Sequence, residues 1–225
     1  MYVLALVTQK GGSGKSTLAV GLAVAAMENG ERVALVEADP QGTIWRWKER
    51  RGSAYPRVDR VTDPAYLEPV LARLEAEGIW LVIIDTAATS NALALAAVRT
   101  SDLCLIPARP SPADIEAAIP TLLAARRNNR RFAFVLNQTP ARGGRLSEAA
   151  TSLNSLGHLA LPYVVQRNDH QDALGAGLGV TEYARADKAA DEIRQLWRWV
   201  LNKLVEGKPF EGSAGHDQIA KQAAG

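Results

Sequence analysis

The stretch YVLALVTQKGGSGKSTLAVGLAVAAMENG, residues 2–30, predicts a strand, a glycine-rich loop and a helix in immediate succession. The apolar run at 2–9 predicts the strand, and the loop KGGSGKST at 10–17 leads into a helix that ends at Gly30. Glycines let successive backbone N–H groups converge on an anion, and the helix N-terminus adds the positive end of its dipole. The order strand, loop, helix therefore predicts a phosphate-binding loop.

This loop departs from the usual phosphate-loop pattern at one position. The pattern G-x-x-x-x-G-K-[ST] fits Gly14, Lys15 and Ser16, but its first glycine falls on Gln9, and a second lysine, Lys10, follows. The pattern assigns Lys15 to the β- and γ-phosphates of a nucleotide and the Ser16 hydroxyl to Mg²⁺. The residues predicted to bind the nucleotide are Gly11, Gly12, Ser13, Gly14, Lys15, Ser16 and Thr17.

Short apolar runs alternate with amphipathic segments along the rest of the chain. Further strands are predicted at 32–39, 80–86, 102–108, 131–138 and 159–165, and helices at 16–29, 63–77, 90–99, 112–128, 145–156 and 185–205. Continuous apolar runs indicate strands that are covered on both faces. We therefore predict an α/β fold with a doubly wound, mainly parallel sheet, and ligands at the carboxyl ends of its strands. One domain is expected at 1–206, followed by a small, polar and flexible tail at 207–225.

Composition excludes several classes of protein. The net charge of +2 over 225 residues is too small to indicate a nucleic-acid binder by itself, so any contact with DNA must come from a local patch. The single cysteine, Cys104, excludes a disulfide framework and a thiolate metal site within this chain. No apolar run reaches the roughly 20 residues of a membrane span, and the start of the chain lacks a basic signal-peptide region. We expect a cytoplasmic protein.

The string K-G-G-x-x-K-[ST], which begins at Lys10, resembles the deviant Walker A motif of the ParA/MinD superfamily of P-loop ATPases. In that family the earlier lysine crosses a dimer interface to the nucleotide of the other subunit. The resemblance thus implies that Lys10 acts in trans, as an arginine finger does, and that dimerisation depends on ATP. The alternative is that Lys10 is a solvated loop lysine.

Two further segments carry the resemblance. EADPQGT at 37–43 is similar to the family's D-x-D-P-Q-G segment, which implies that Asp39 orients the attacking water and helps to hold Mg²⁺. Glu37 stands where the family often has Asp. VIIDT at 82–86 resembles a Walker B strand, and Asp85 would hold Mg²⁺ through a water. The chain then reads DTAATSN where relatives commonly have D-T-P-P or D-T-P-G, so a γ-phosphate contact near Ala87 is in doubt.

The carboxyl-terminal half completes the resemblance, which spans roughly residues 1–205. LNQTPARGGR at 136–145 resembles the segment whose Asn contacts adenine, which implies this role for Asn137. An Asn that ends a strand is also a common turn former. The segment at 161–196 resembles the family's closing signature, whose first loop lies over the adenine ring.

The resemblance, closest to small ParA-type members, implies a dimerising ATPase that uses ATP and Mg²⁺. It would partition DNA or position a large cargo on the nucleoid, and a ParB-like or cargo-adaptor protein would stimulate hydrolysis. Membrane binding of the MinD kind is not expected, because the tail is poor in large apolar residues. The candidate contacts to non-specific DNA are Arg142, Arg145, Arg167, Arg194 and Arg198. Each of these arginines could instead belong to an ordinary solvated face.

Two alternatives remain open. An ATPase of the same family could recruit DNA for conjugative transfer or position a protein complex. A metabolic P-loop synthetase would use ATP as a monomer on a small molecule. The segment TIWRWKERR at 43–51 adds two tryptophans among basic residues. One Trp is expected to pack inward, and the other is a candidate contact to a partner or to the second subunit of the dimer.

Overall fold

A computed structural model describes residues 1–89 and 92–206 of the chain. Within these ranges, six strands form one sheet in the order β3-β2-β4-β1-β5-β6, and every neighbouring pair is parallel. The strands are β1 (Tyr2–Leu6), β2 (Val33–Ala38), β3 (Arg57–Arg60), β4 (Leu81–Thr86), β5 (Leu103–Ala108) and β6 (Phe132–Leu136). The predicted tail at 207–225 lies outside the described residues.

Helices connect the strands and follow the last one. They are α1 (Lys15–Glu28), α2 (Thr43–Arg50), α3 (Leu67–Ala76), α4 (Ala92–Thr100), α5 (Pro112–Arg127), α6 (Gly144–Leu156), α7 (Asp169–Gly175), α8 (Val180–Tyr183) and α9 (Lys188–Val205). A short 3₁₀ helix, Pro64–Tyr66, precedes α3. No helix within the described ranges is long and apolar enough to cross a membrane.

Two hydrophobic cores lie on opposite faces of the sheet. One packs α1, α2, α7, α8 and α9 against the sheet, with Trp47 and Trp197 among its largest buried side chains. The other packs α3, α4, α5 and α6 against the opposite face. Because both faces are covered, the strands are apolar throughout rather than alternating. The predicted doubly wound parallel α/β fold is confirmed.

The sheet brings separate parts of the sequence to one edge. Parallel strands deliver their carboxyl ends to the same side, so the loops that follow β1, β2, β4 and β6 meet there. In the register of the sheet, Asp85 of β4 pairs with Leu6 of β1 on one side and with Glu37 of β2 on the other. The phosphate loop and the acidic segment at 37–43 are therefore neighbours.

The structure differs from the predicted strands at two places. The run at 159–165 was predicted to be a strand, but it forms only isolated bridges, Phe134 with Leu159 and Thr139 with Val165. Pro162 lies between them and has no N–H to donate to a ladder. Strand β3 was not predicted, because an edge strand that reads Arg-Val-Asp-Arg lacks the apolar run of a central strand. Helices α2, α7 and α8 were likewise not predicted; each is eight residues or shorter.

Candidate functional site

The phosphate loop joins β1 to α1 and depends on glycine geometry. Gly12 and Gly14 have φ of +73° and +85°, a region that disfavours other residues. A Cβ on Gly14 would stand 2.3 Å from Asn137 Nδ2, so no side chain fits there. Within the described ranges, the backbone N–H groups of Gly11, Gly12 and Gly14 donate no hydrogen bond. Such unpaired donors at a helix N-terminus fit an anion.

Lys15 is folded back into its own loop. Its side chain is buried, and its Nζ lies 3.4 Å from the carbonyl oxygens of Thr8 and Lys10. Hydrogen bonds of this length are weak. Burial lowers the pKa of Lys15, while the nearby carboxylates of Asp85 and Asp39 act to raise it. The ammonium is thus held loosely beside the free N–H groups of the loop, where a phosphate would accept from it.

Lys10 has a different environment from Lys15. It is half-buried, and its Nζ makes no hydrogen bond or ion pair with the described parts of the chain. Only its backbone carbonyl takes part in the loop, as an acceptor for Lys15. The two lysines therefore differ: Lys15 contacts carbonyl groups of its own loop, whereas the charge of Lys10 has no partner in the described part of the chain.

Asp85 and Ser16 form a hydrogen-bonded pair that leaves one carboxylate oxygen of Asp85 without a donor among the described residues. Ser16 Oγ donates to Asp85 Oδ2 at 2.6 Å, and Asp85 is fully buried at the end of β4. Among the described residues nothing donates to Asp85 Oδ1. Burial raises the pKa of Asp85 to about 7, although the hydrogen bond from Ser16 and the charge of Lys15 lower it. A hydroxyl and an unsatisfied carboxylate oxygen are hard oxygen ligands, so the pair fits Mg²⁺ or a water bound to it.

Asp39 lies at the start of the turn that links β2 to α2. Its Oδ1 accepts the N–H of Gln41 at 2.9 Å, and its carbonyl oxygen accepts the N–H of Gly42 at 3.1 Å. Gly42 has φ of +68° and precedes the first residue of α2. Asp39 is half-buried, and its Oδ2 accepts no hydrogen bond from the described residues. One carboxylate oxygen thus sets the turn while the other is available to a water.

Glu37 is a residue whose role sequence reasoning missed. It is 1% exposed, and its two carboxylate oxygens accept the N–H groups of Ile44, at 3.1 Å, and Trp45, at 2.7 Å. Burial raises the pKa of Glu37, while these two hydrogen bonds lower it. The carboxylate therefore caps α2 from the neighbouring strand. The departure from Asp at this position was the available signal, because the longer Glu side chain reaches the helix.

Asn137 and Gln138 brace the phosphate loop from the end of β6. Asn137 Nδ2 donates to the Ser13 carbonyl at 2.8 Å, and Gln138 Nε2 donates to the Gly12 carbonyl at 2.9 Å. Gln138 was not predicted to belong to the site. The amide nitrogen of Asn137 is already engaged by the loop, so a contact between Asn137 and adenine stays a prediction.

The candidate DNA contacts divide into two groups. Arg167 binds Glu192 at 2.6 Å. Arg194 binds Glu28 at 3.1 Å and also donates to the carbonyl oxygens of Arg185 and Thr181. These two arginines hold the carboxyl-terminal helices together, so their charges are already paired. The three that are exposed without an ion pair in the described residues are Arg142, Arg145 and Arg198.

The segment after Asp85 is described only in part. Thr86 Oγ1 donates to the Leu6 carbonyl at 2.8 Å, and Ala87 is buried. Residues 90 and 91 of the DTAATSN segment lie outside the described ranges. The expectation that this second switch differs from that of relatives stays a prediction.

Comparisons with known proteins agree with this geometry. The chain matches the family model described as VirC1 protein over residues 1–183. It is 33% identical over 213 residues to the maintenance of carboxysome distribution protein A of Gloeobacter kilaueensis, which covers 87% of this chain and 95% of that protein. It is 34% identical over 126 residues to protein virC1 of Rhizobium radiobacter, which covers 54% of each chain.

Two solved structures share the fold. The structure of apo McdA from Cyanothece has a TM-score of 0.73 at 18% identity and covers 91% of this chain and 99% of that one. MinD from Pyrococcus horikoshii, solved with Mg-ADP, has a TM-score of 0.75 at 17% identity and covers 93% of this chain and 99% of that one. At these identities the likeness establishes the fold.

Proposed function

The chain belongs to the VirC1 family, within the ParA/MinD superfamily of P-loop ATPases, and we propose that it is an ATP-dependent dimer that positions a large cargo or partitions DNA. In this proposal ATP with Mg²⁺ binds at the carboxyl edge of the sheet. A partner protein, a ParB-like protein or a cargo adaptor, then stimulates hydrolysis. Relatives whose names describe carboxysome distribution and chromosome partitioning support this role.

The different environments of the two lysines carry the proposal. Lys15 is buried within the loop, as a residue that serves its own subunit's phosphates should be. Lys10 is half-buried and its Nζ is unpartnered in the described part of the chain, at the edge where a second subunit would meet the nucleotide. A cation supplied in trans stabilises the charge that develops on the transferred phosphoryl group. A second subunit would therefore complete the site.

The remaining site residues take roles that match their environments. Ser16 and Asp85 would hold Mg²⁺, which neutralises charge on the phosphate oxygens when it is bound. Asp39, with one carboxylate oxygen open, would orient the attacking water. The N–H groups of the loop and Lys15 would bind the phosphates, and Gln138 and Asn137 would keep the loop in place.

Binding of non-specific DNA is part of the proposal. The supporting residues are Arg142, Arg145 and Arg198, which have no ion pair in the described part of the chain, and such contacts would weaken as salt increases. The protein would then work in the cytoplasm on the nucleoid. The recruitment of DNA for conjugative transfer stays open as a variant of the same ATPase task.

The decisive experiment compares two lysine variants. Lys10→Ala is expected to bind ATP normally and to lose partner-stimulated hydrolysis, whereas Lys15→Ala is expected to lose nucleotide binding. Nucleotide binding is measured with a fluorescent ATP analogue, and hydrolysis by phosphate release. Unchanged stimulated turnover in Lys10→Ala would refute the role of Lys10 in trans.

A second experiment separates the proposal from a metabolic synthetase. Asp39→Ala should bind ATP, fail to hydrolyse it and so accumulate as a dimer with ATP and Mg²⁺ in size-exclusion chromatography. A synthetase would remain monomeric under the same conditions. A monomer that also fails to retain DNA at low salt would remove the basis of the partition proposal.

A further inference from the structure

A basic–aromatic patch lies on α2 and the edge strand β3, next to the Asp39 turn. We define the basic–aromatic patch as Trp45, Arg46, Lys48, Arg50 and Arg60. The three arginines are exposed, and Trp45 and Lys48 are half-buried. The predicted division of the tryptophans is confirmed in part, because Trp47 is fully buried while Trp45 keeps part of its surface in the patch.

Two cations of the patch are held against the Trp45 ring. Lys48 Nζ lies 4.9 Å from the ring centroid and Arg60 Cζ lies 5.7 Å from it. Cation–π contacts of this length are attractive and restrict the cation to the neighbourhood of the ring. Lys48 Nζ also donates to the Val58 carbonyl at 3.3 Å. These cations are thus ordered on the surface before any ligand arrives.

Two guanidinium groups converge above Gly42. Arg46 Nη1 and Arg60 Nη2 lie 3.7 Å and 3.9 Å from the position that a Gly42 Cβ would take. Arg46 donates to the Gln41 carbonyl, and Arg60 makes no hydrogen bond or ion pair within the described ranges. Two guanidinium groups near one point repel each other unless anions offset their charge. Glu37 Oε2 lies 3.9 Å from the same point, and the charge of Arg60 helps to lower the pKa of Glu37. One buried carboxylate, which also accepts two N–H groups of α2, thus faces two guanidinium groups.

Neighbouring arginines show that this excess of charge is local. Arg57 pairs with Asp59 and Glu77, and Arg73 pairs with Asp59, all beside the same edge strand. The acidic residues near β3 therefore neutralise one side of the strand and leave Arg60 on the other. Ordered guanidinium groups that outnumber the neighbouring carboxylate fit a polyanion, and phosphate matches the geometry of the guanidinium fork.

We propose that the basic–aromatic patch binds the phosphate backbone of duplex DNA; this inference rests on the proposed function and adds a second contact surface to it. The unpaired arginines considered above, Arg142 and Arg145, follow β6, which is at the opposite end of the strand order from β3. Guanidinium groups beside an indole suit backbone contacts that do not read sequence. An acidic protein segment is the competing occupant, and the experiment below separates the two.

The position of the patch ties DNA binding to the nucleotide. Arg46 donates to Gln41, and Glu37 caps α2 two residues before Asp39. A change in the Asp39 turn therefore moves the first turn of α2, where Trp45 and Arg46 are located. Affinity at the patch should therefore differ between the ATP and ADP states.

The test measures duplex DNA binding by fluorescence anisotropy with the full-length protein, ATP and Mg²⁺ over a range of salt concentrations. Arg60→Glu is expected to weaken binding about tenfold at low salt and to reduce the slope of log K against log salt by about one. The double variant Arg46→Gln/Arg60→Gln should lower the slope by about two without placing an acid beside Glu37. Arg127→Glu, exposed at the end of α5, changes the net charge equally and serves as the matched control.

Each outcome bears on a distinct claim. If the wild type binds DNA and Arg60→Glu behaves like Arg127→Glu, the inference fails and the proposed function stands. If the wild type forms ATP dimers and binds no DNA, the DNA part of the proposed function fails and the patch has another ligand. If polyglutamate binds the wild type but not Arg46→Gln/Arg60→Gln, and the DNA affinity of that variant is unchanged, the patch binds an acidic protein segment instead. Size-exclusion with ATP verifies that each variant still dimerises.

Discussion

Glu37 and Asp85 lie at the same level of neighbouring parallel strands, and both carboxylates are buried, yet their surroundings differ. Both oxygens of Glu37 accept N–H groups of α2. Asp85 has one oxygen held by Ser16 and one with no donor among the described residues. A buried carboxylate that is fully hydrogen-bonded supports the fold, whereas one that is left half-satisfied is available to a ligand. At the same edge of the sheet, Glu37 thus belongs to the structure around α2, whereas Asp85 belongs to the candidate nucleotide site.

The largest effect is expected from a substitution of Asp85. Asp85→Asn is expected to reduce Mg²⁺-dependent ATP hydrolysis about 100-fold, because an amide binds the metal or its water more weakly than a carboxylate. Thermal unfolding without nucleotide should not shift to a lower temperature, since the substitution removes a buried charge. Phosphate release across a Mg²⁺ titration measures the first effect. A variant that hydrolyses normally but unfolds early would place Asp85 with Glu37, as a structural residue.

The converse change is Glu37→Gln. We expect the free energy of unfolding to fall by about 2 kcal/mol, because a Gln amide can accept from only one of the two N–H groups that Glu37 caps. Urea denaturation at neutral pH measures this loss. Nucleotide binding should change less than stability. A stability equal to that of the wild type would show that the cap of α2 contributes little.

Glu182, which is paired with Arg51, is a second structural carboxylate, and its contribution to stability should depend on pH. Arg51 donates to both oxygens of Glu182 at 2.8 Å, and Arg51 is almost fully buried. Burial alone would raise the pKa of Glu182, but the hydrogen bonds from Arg51 and from the Gly179 N–H lower it overall. Glu182→Gln should cost about 1–2 kcal/mol of stability at pH 7.

The pH dependence of that cost follows from the direction of the pKa shift. A lowered pKa in the folded state gives stability that is present above the unfolded value of 4.5 and is lost as pH falls through the folded value. The difference between the wild type and Glu182→Gln should therefore be full at neutral pH and shrink below pH 4.5. Urea denaturation at several pH values measures it. A stability difference that does not change with pH would mean that the protonation of Glu182 is not coupled to folding.

The smallest effect is expected at the exposed pair of Arg73 and Asp59. Their side chains are 42% and 19% exposed and lie 3.0 Å apart. Arg73→Ala should change the free energy of unfolding by about 0.5 kcal/mol or less, because solvent screens such pairs and Arg57 also binds Asp59. Urea denaturation of Arg73→Ala and Glu182→Gln under the same conditions compares their free energies of unfolding directly. If Arg73→Ala lowers the free energy of unfolding more than Glu182→Gln does, burial does not determine which ion pair stabilises the fold more.

Local sequence patterns predicted the fold and the position of the phosphate loop. The central strands and α1 carry continuous apolar runs, and a glycine-rich loop between a strand and a helix has few other uses. Short elements escaped prediction because packing rather than local pattern stabilises them. Strand β3 depends on β2 for its hydrogen bonds, and α2 depends on Glu37 and on the burial of Ile44 and Trp47.

Residue types and their spacing were enough to predict the parallel α/β fold, the loop with two lysines and the acidic residues of the site. These features are local, because residue type and spacing fix backbone geometry and charge. The folded chain was needed to show which charged groups already have partners. Arg167 and Arg194 pair with acids distant in sequence, Glu37 accepts hydrogen bonds from α2, and Arg60 has no ion pair in the described residues. Pairing requires that strands and helices bring distant residues together, and no spacing in a single sequence encodes those distances.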